Sequence, residues 1–214
     1  MSSKWMDWTY EQKCHQAVEV LKKKGFAAVF CEDRQQAAKY IKEAAQQATT
    51  IGLGGSVSVQ ELSIMSELEQ MGKELLNHGQ AGLSTGQKID IMRRQLTCDL
   101  FLAGTNALTL NGELVNIDAT GNRVGAMFFG PKKIIVVAGR NKIVENRDEA
   151  VKRIKDYAAP ANARRLGCKT PCAATGFCAD CESAERICRI TVIIDHLPRF
   201  SDITVLVVNE DMGL

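Results

Sequence analysis

The sequence carries almost no net charge: 27 Lys and Arg against 25 Asp and Glu give +2, with a pI of about 8.1. That imbalance is too small to argue for nucleic acid or a membrane surface as partner. No stretch approaches the roughly 18 consecutive apolar residues of a spanning helix, so membrane insertion is not expected. The opening residues, MSSKWMDWTYEQK, hold no apolar run and no cleavage signal, and a cytoplasmic location is the expectation. Internal repeats and low-complexity linkers are missing. The three histidines, His15, His78 and His196, are scattered. No Ser-His-Asp order or HExxH motif appears.

What is present points to a packed α/β domain. Hydrophobic residues make up 45% and charged residues 24% of 214, enough for a core in one domain spanning residues 1–214. Residues 7–24 read as an amphipathic helix, with Cys14, Ala17, Val18 and Leu21 at helical spacing and Gly25 ending it. FAAVFC (26–31) reads as a buried strand. A helix over 33–48 follows, with Asp33 able to cap it. TTIGLG (49–54) is strand-like, and 57–72 reads as a third helix. This β-α-β-α order favours a Rossmann-like, mainly parallel sheet flanked by helices. Residues 73–90 read as a polar loop. CDLFLAGTNALTL (98–110) and ELVNID (113–118) flank Asn111-Gly112, a turn signal for an antiparallel hairpin. A helical middle within 119–131, a strand at 132–139 and a helix over 147–167, interrupted near Pro160, come next. ICRITVIID (187–195) and DITVLVVNE (202–210) close the chain as two strands.

Eight cysteines are many for a chain expected in the cytosol, where disulfides are disfavoured. Cys14, Cys31 and Cys98 lie in apolar surroundings and read as small core residues. The other five crowd into residues 168–188, an insertion between helix and strand: Cys168-x3-Cys172-x5-Cys178-x2-Cys181-x6-Cys188. Soft thiolates suit zinc or iron–sulfur centres. The Cys178/Cys181 pair has the tight spacing that lets two thiolates face one ion. Cys168, Cys172, Cys178 and Cys181 are the first choice of ligands, with Cys188 as a fifth candidate. The spacing matches neither the common zinc finger nor the ferredoxin run. Iron–sulfur, zinc, a redox disulfide and ligand-free thiols all remain open.

Ile51-Gly52-Leu53-Gly54-Gly55-Ser56 leaves a strand and enters a helix. Glycines let backbone N–H groups close on an anion, and Ser56 could cap the helix or donate to a ligand. The third glycine of GxGxxG is absent, so no nicotinamide cofactor is expected, and no Gly-Lys-Ser/Thr follows. A second polar group gathers at strand ends: Asn106, Asn116, Asp118, Asn122 and Arg123, with Lys142 further on. Such residues meet at the crevice of an open α/β sheet. Asp118 is the candidate general base, and Arg123 a candidate for gripping a carboxylate or phosphate. The alternatives are glycine used for turn geometry alone, helix caps at Asp118 and Asn122, and exposed surface charge at Lys142.

TTIGLGGSVSVQEL and GTNALTLNGELVNIDATGNRVGAMFFGPKKIIVVAGRNKIV together resemble the lactate-utilisation (LUD) domain family, over about Thr49 to Asp195. CKTPCAATGFCADCESAERIC resembles the cysteine-rich tail of a stand-alone branch of that family. The resemblance implies a fold related to sugar-phosphate isomerases and CoA transferases, with an antiparallel part added to the parallel sheet. It implies that Gly52, Gly54, Gly55 and Ser56 match an anion-binding loop. It also implies a role in lactate or 2-hydroxy-acid oxidation, as an enzyme or a subunit beside iron–sulfur partners. The expected ligand is a small anionic metabolite, and a homo-oligomer is left open. A redox, electron-transfer or regulatory subunit without its own catalysis is the competing expectation.

Overall fold

The computed structural model describes residues 4–214. Helix α1 (Lys4–Lys23) buries Cys14, Ala17, Val18 and Leu21 on one face, and Gly25, at φ 90°, turns the chain into β1 (Ala27–Cys31). Asp33 caps α2 (Arg34–Ala45) by accepting from the Gln36 N–H at 2.8 Å. Strand β2 (Thr50–Leu53) follows. The single helix expected over 57–72 is instead two short ones, α3 (Val57–Gln60) and α4 (Met65–Gln70). Leu62 and Ile64 are both buried in the same core, yet residues two apart face opposite sides of a helix. Ser63, at φ 55°, breaks the helix between them.

The polar loop expected over 73–90 holds an edge strand, β3 (Glu74–Leu76). One fully buried side chain in three residues is too little periodicity to read. A Ser84/Gln87 capping box starts α5 (Thr85–Gln95). Strand β4 (Leu100–Gly104) leads into the hairpin of β5 (Ala107–Thr109) and β6 (Leu114–Asp118). Of its turn residues only Gly112 has positive φ, 75°. Thr109 accepts from Gly112 N and donates to Glu113 O. The Asn-Gly step therefore makes a three-residue bulged loop, not a two-residue turn with both residues left-handed.

After α6 (Asn122–Phe128) and β7 (Lys133–Gly139) come β8 (Ile143–Val144) and α7 (Arg147–Arg153). A π-helical stretch, Ile154–Ala158, separates α7 from α8 (Ala159–Arg165). Pro160 has no N–H to give, and its ring crowds the carbonyl four residues back, so the ladder loosens just upstream. A short α9 (Pro171–Thr175) opens the cysteine segment, and β9 (Ile190–Ile194) and β10 (Ile203–Val208) follow it.

Six strands form an all-parallel sheet in the order β1-β10-β7-β4-β2-β3, and four form a mixed sheet in the order β8-β5-β6-β9. The last two strands thus part company. β10 enters the large sheet between β1 and β7, while β9 pairs antiparallel with β6. Strand alternation sorts the core into two layers. Phe101, Ala103, Ile134, Val136, Val205 and Val207 meet α1 and α6 on one face. Leu100, Leu102, Ile135, Val137, Leu206 and Val208 meet α2, α3 and α4 on the other. A third, smaller core packs Ala107 and Val115 of the mixed sheet on Ala150, Ile154 and Ala159, with Cys188 against its rim. Among the described residues no helix is long and apolar enough to cross a membrane.

Candidate functional site

A cavity of about 240 Å³ opens beyond the carboxyl ends of β2 and β4. Its floor is the turn Gly54-Gly55-Ser56 and the strand exit Gly104-Thr105-Asn106, with Asp118, Asn122 and Arg123 beside them. Residues of α8, Ala159, Asn162 and Arg165, form the facing wall. An engineered cavity of about 150 Å³ takes benzene, so this space suits a small metabolite.

Close packing explains the glycines. A Cβ on Gly104 would lie 2.5 Å from Ser56 Oγ, and one on Gly54 would lie 3.1 Å from the Phe101 ring and 3.2 Å from Arg123 Cγ. Gly55 has φ 72°. Gly52 stands behind the cavity, where a Cβ would meet Phe101 at 2.8 Å and Cys98 Sγ at 2.9 Å. Ser56 Oγ accepts from Val59 N at 3.4 Å and caps α3. Because α3 is a single turn, its dipole adds little to an anion's binding; loop amides and side chains would carry that role.

Arg123 organises the polar floor. One terminal nitrogen donates to Asn116 Oδ1 at 2.6 Å and Gly104 O at 3.2 Å; the other donates to Ile117 O at 3.1 Å and Asn106 Oδ1 at 3.2 Å. Its Nε faces Asp118 Oδ2 at 3.2 Å. That approach is a charge contact and not an aligned hydrogen bond, since the same oxygen, though buried, has no hydrogen-bond partner. The other Asp118 oxygen accepts from Thr120 N and Gly121 N. Arg123 therefore lines the cavity with its terminal donors already engaged. Asn116 stands behind the wall, where its Oδ1 also accepts from Asn106 N at 3.0 Å.

Lys142 is buried at the cavity edge, 4% exposed. Its Nζ donates to Ser58 Oγ at 2.7 Å and Thr105 O at 3.1 Å. Burial, with Arg153 and Arg123 close by and only Glu61 opposing, pushes its amine down to about 7. His78 lines the same cavity. The amide of Gln95 lies 3.0 Å from His78 Nδ1 and also donates to Leu53 O and Leu76 O. The amide's two hydrogens are both committed to the carbonyls, so this contact fixes no tautomer; Nε2 is the ring nitrogen nearer Gly55. Burial, outweighing the Gln95 contact and Asp118, pushes the imidazole below its ordinary range.

The cysteines of the insertion divide. Cys172, Cys178, Cys181 and Cys188 line one cavity of about 210 Å³, whereas Cys168 lines another with Arg164 and Lys169. All are free thiols. Asp180, at φ 44°, makes the turn between Cys178 and Cys181, and its N–H donates to Cys178 Sγ at 3.5 Å. The guanidinium of Arg186 faces the thiol cavity with its buried Nε unpartnered. Burial, and then the neighbouring thiols of Cys178 and Cys172, raise the Cys188 thiol. Among the described residues no three His, Cys, Asp or Glu side chains stand in an arrangement that would hold a metal ion. The two cavities share a wall: Ile117, Ala159, Ile187 and Cys188 border both.

Comparison with known proteins decides the lineage, because residues 14–208 match the LUD domain. The chain belongs to the LUD-domain family. Among solved structures, this LUD domain is similar to a DUF162 family protein from Deinococcus radiodurans, with a TM-score of 0.54 and 17% identity over 93% of this chain and 98% of that one. That likeness bears on the fold alone. No curated protein matches.

Among the residues singled out from sequence, this LUD domain brings Gly54, Gly55, Ser56, Asn106, Asp118, Asn122, Arg123 and Lys142 to one cavity, and keeps Gly52 and Asn116 behind it. His78, Asn162 and Arg165 also line it, and sequence reasoning passed them over. His78 arrives on the loop after β3, which gave no readable signal. Asn162 and Arg165 share one helix face at i, i+3, a spacing that surface helices show throughout.

Proposed function

We propose that this LUD domain acts on a small carboxylate of the lactate or 2-hydroxy-acid class, held in the 240 Å³ cavity, as an enzyme or as one subunit of an oxidising system. One observation carries the reading. The Gly54–Ser56 turn, Asn106 after β4 and Asp118 after β6 converge from both sheets on one polar crevice at strand carboxyl ends, where open α/β sheets bind ligands. Arg165, at the mouth, directs Nε and one terminal nitrogen to Asn162 Oδ1 at 3.1 and 2.7 Å. Its remaining nitrogen can meet a carboxylate. Calorimetric titration with L-lactate, pyruvate and phosphate tests this, with saturable binding that weakens in Gly104→Ala as the expected result. No heat from any of these anions would sink it.

A second reading concerns the cysteines. Four thiols around one cavity, a backbone N–H on Cys178 sulfur and the unpartnered Nε of Arg186 suit a thiolate-bound zinc or iron–sulfur centre, which loop closure would have to draw together. Iron–sulfur subunits that carry electrons away belong to the same reading. Anaerobic purification with iron, sulfide and zinc analysis tests it, and absence of all three would end it.

A further inference from the structure

The most unusual group in the cavity is Lys142, which neither helix-forming nor packing needs explain. It is buried beside two guanidinium groups, those of Arg123 and Arg153, and among the described residues no carboxylate lies within ion-pairing distance. Glu61, the acid that faces it, is already occupied, accepting from Gly213 N at 2.8 Å. A structural lysine in such a place would be expected to have a carboxylate partner.

The hydrogen bonds say which face of the amine is available. Ser58 Oγ spends its one hydrogen on Met212 O at 3.3 Å, so toward Lys142 it can only accept. Thr105 O is an acceptor as well. Two hydrogens of Nζ are thus committed, and in the neutral amine the remaining position is the lone pair. The cavity is bordered by this side chain. An uncharged amine next to cations, with its lone pair uncommitted, is how a lysine is activated as a nucleophile.

We propose that Lys142 forms an imine with a short 2-oxo acid bound in the cavity. Nζ adds to the carbonyl carbon and the C=O π pair moves to oxygen. The two amine hydrogens then leave with that oxygen as water. A C–N double bond replaces the C–O double bond and nothing is oxidised or reduced. Ser58 Oγ, 2.7 Å from Nζ, holds the amine in place by accepting one of its hydrogens. The carboxylate of the oxo acid is the group that the mouth residue Arg165 and the loop amides would hold. The proposal rests on the anion-cavity reading, and narrows it to carbonyl substrates.

The test is reduction with borohydride in the presence of pyruvate, 2-oxobutyrate and glyoxylate in turn, followed by intact-mass analysis and peptide mapping. The expected product is one adduct per chain, with the mass of the acid less one oxygen, on Lys142. It is lost in Lys142→Met and Lys142→Arg. Should either variant fail to fold, mapping of the wild-type adduct decides alone. Adducts spread over surface lysines, or none at all, would overturn the proposal. Calorimetry with the same acids separates the two ideas: binding without an adduct removes the imine and keeps the cavity, and neither binding nor adduct removes both.

Discussion

Arg123 Nε lies 3.2 Å from Asp118 Oδ2, and both side chains are largely buried, at 14% and 9% exposed. The same guanidinium holds Asn106 and Asn116, so one side chain fixes the exits of β4 and β6 relative to each other. Removing it leaves a buried carboxylate and two amides short of partners. Arg123→Met is expected to cost about 3 kcal/mol or more in urea unfolding. Arg123→Lys should fail to restore it, because an ammonium cannot reach five acceptors in a planar fork. A lysine variant with wild-type stability would contradict this role.

Gly104→Ala tests the loop without touching a charge. The new methyl would sit 2.5 Å from Ser56 Oγ, so the Ser56 side chain at the end of the Gly54–Ser56 turn must move. Affinity for a bound carboxylate should fall roughly tenfold or more, while the circular dichroism spectrum stays that of the wild type. Equal affinity in calorimetry would show that the turn does not touch the ligand.

The amine of Lys142 should leave a mark on stability. Its folded value of about 7 lies below its ordinary 10.5. Between those limits the unfolded chain holds a proton that the folded protein lacks, so this group makes stability rise with pH across that window. Below about 7 both states are protonated and its contribution is flat. Lys142→Met should lose that rise in the urea midpoint measured from neutral to alkaline pH. Parallel profiles for the two proteins would place the amine at its ordinary value.

The cysteine cavity separates two ligand sets. Cys178→Ser, Cys181→Ser and Cys188→Ser should each lower the metal content of anaerobically prepared protein, whereas Cys168→Ser should leave it unchanged, because Cys168 faces a different cavity. Loss on replacing Cys168 with retention on replacing Cys188 would reverse the assignment.

Five strands of the parallel sheet were legible because they carry continuous apolar runs, and α1 and α2 because their buried residues recur at helical spacing. The hairpin was legible too from Asn111-Gly112, although its loop holds three residues and Gly112 alone is left-handed. What escaped reading was tertiary. Nothing local tells Ser63 to break a helix so that Leu62 and Ile64 can both reach the sheet. Nothing local sends β9 to one sheet and β10 to another. From sequence Lys142 was a candidate cation at the ligand edge, with exposed surface charge as the alternative. Its burial depends on α3, β4 and the Met212–Gly213 segment closing around it. Spacing alone ranked Cys168 above Cys188, and only the packing of β9 beside β6 shows which sulfur faces Cys172, Cys178 and Cys181.

The wall of Ile117, Ala159, Ile187 and Cys188 gives the two cavities a common partition through which binding in one can be felt in the other. Whatever draws Cys188 toward the other thiols must move a surface that the 240 Å³ cavity also uses. Free-energy coupling of that kind is reciprocal. If metal changes the affinity for a small acid by some factor, the acid changes the affinity for metal by the same factor. A chelator titration with and without ligand reads one factor and a ligand titration with and without metal reads the other, and a factor of one would show that the shared partition transmits nothing.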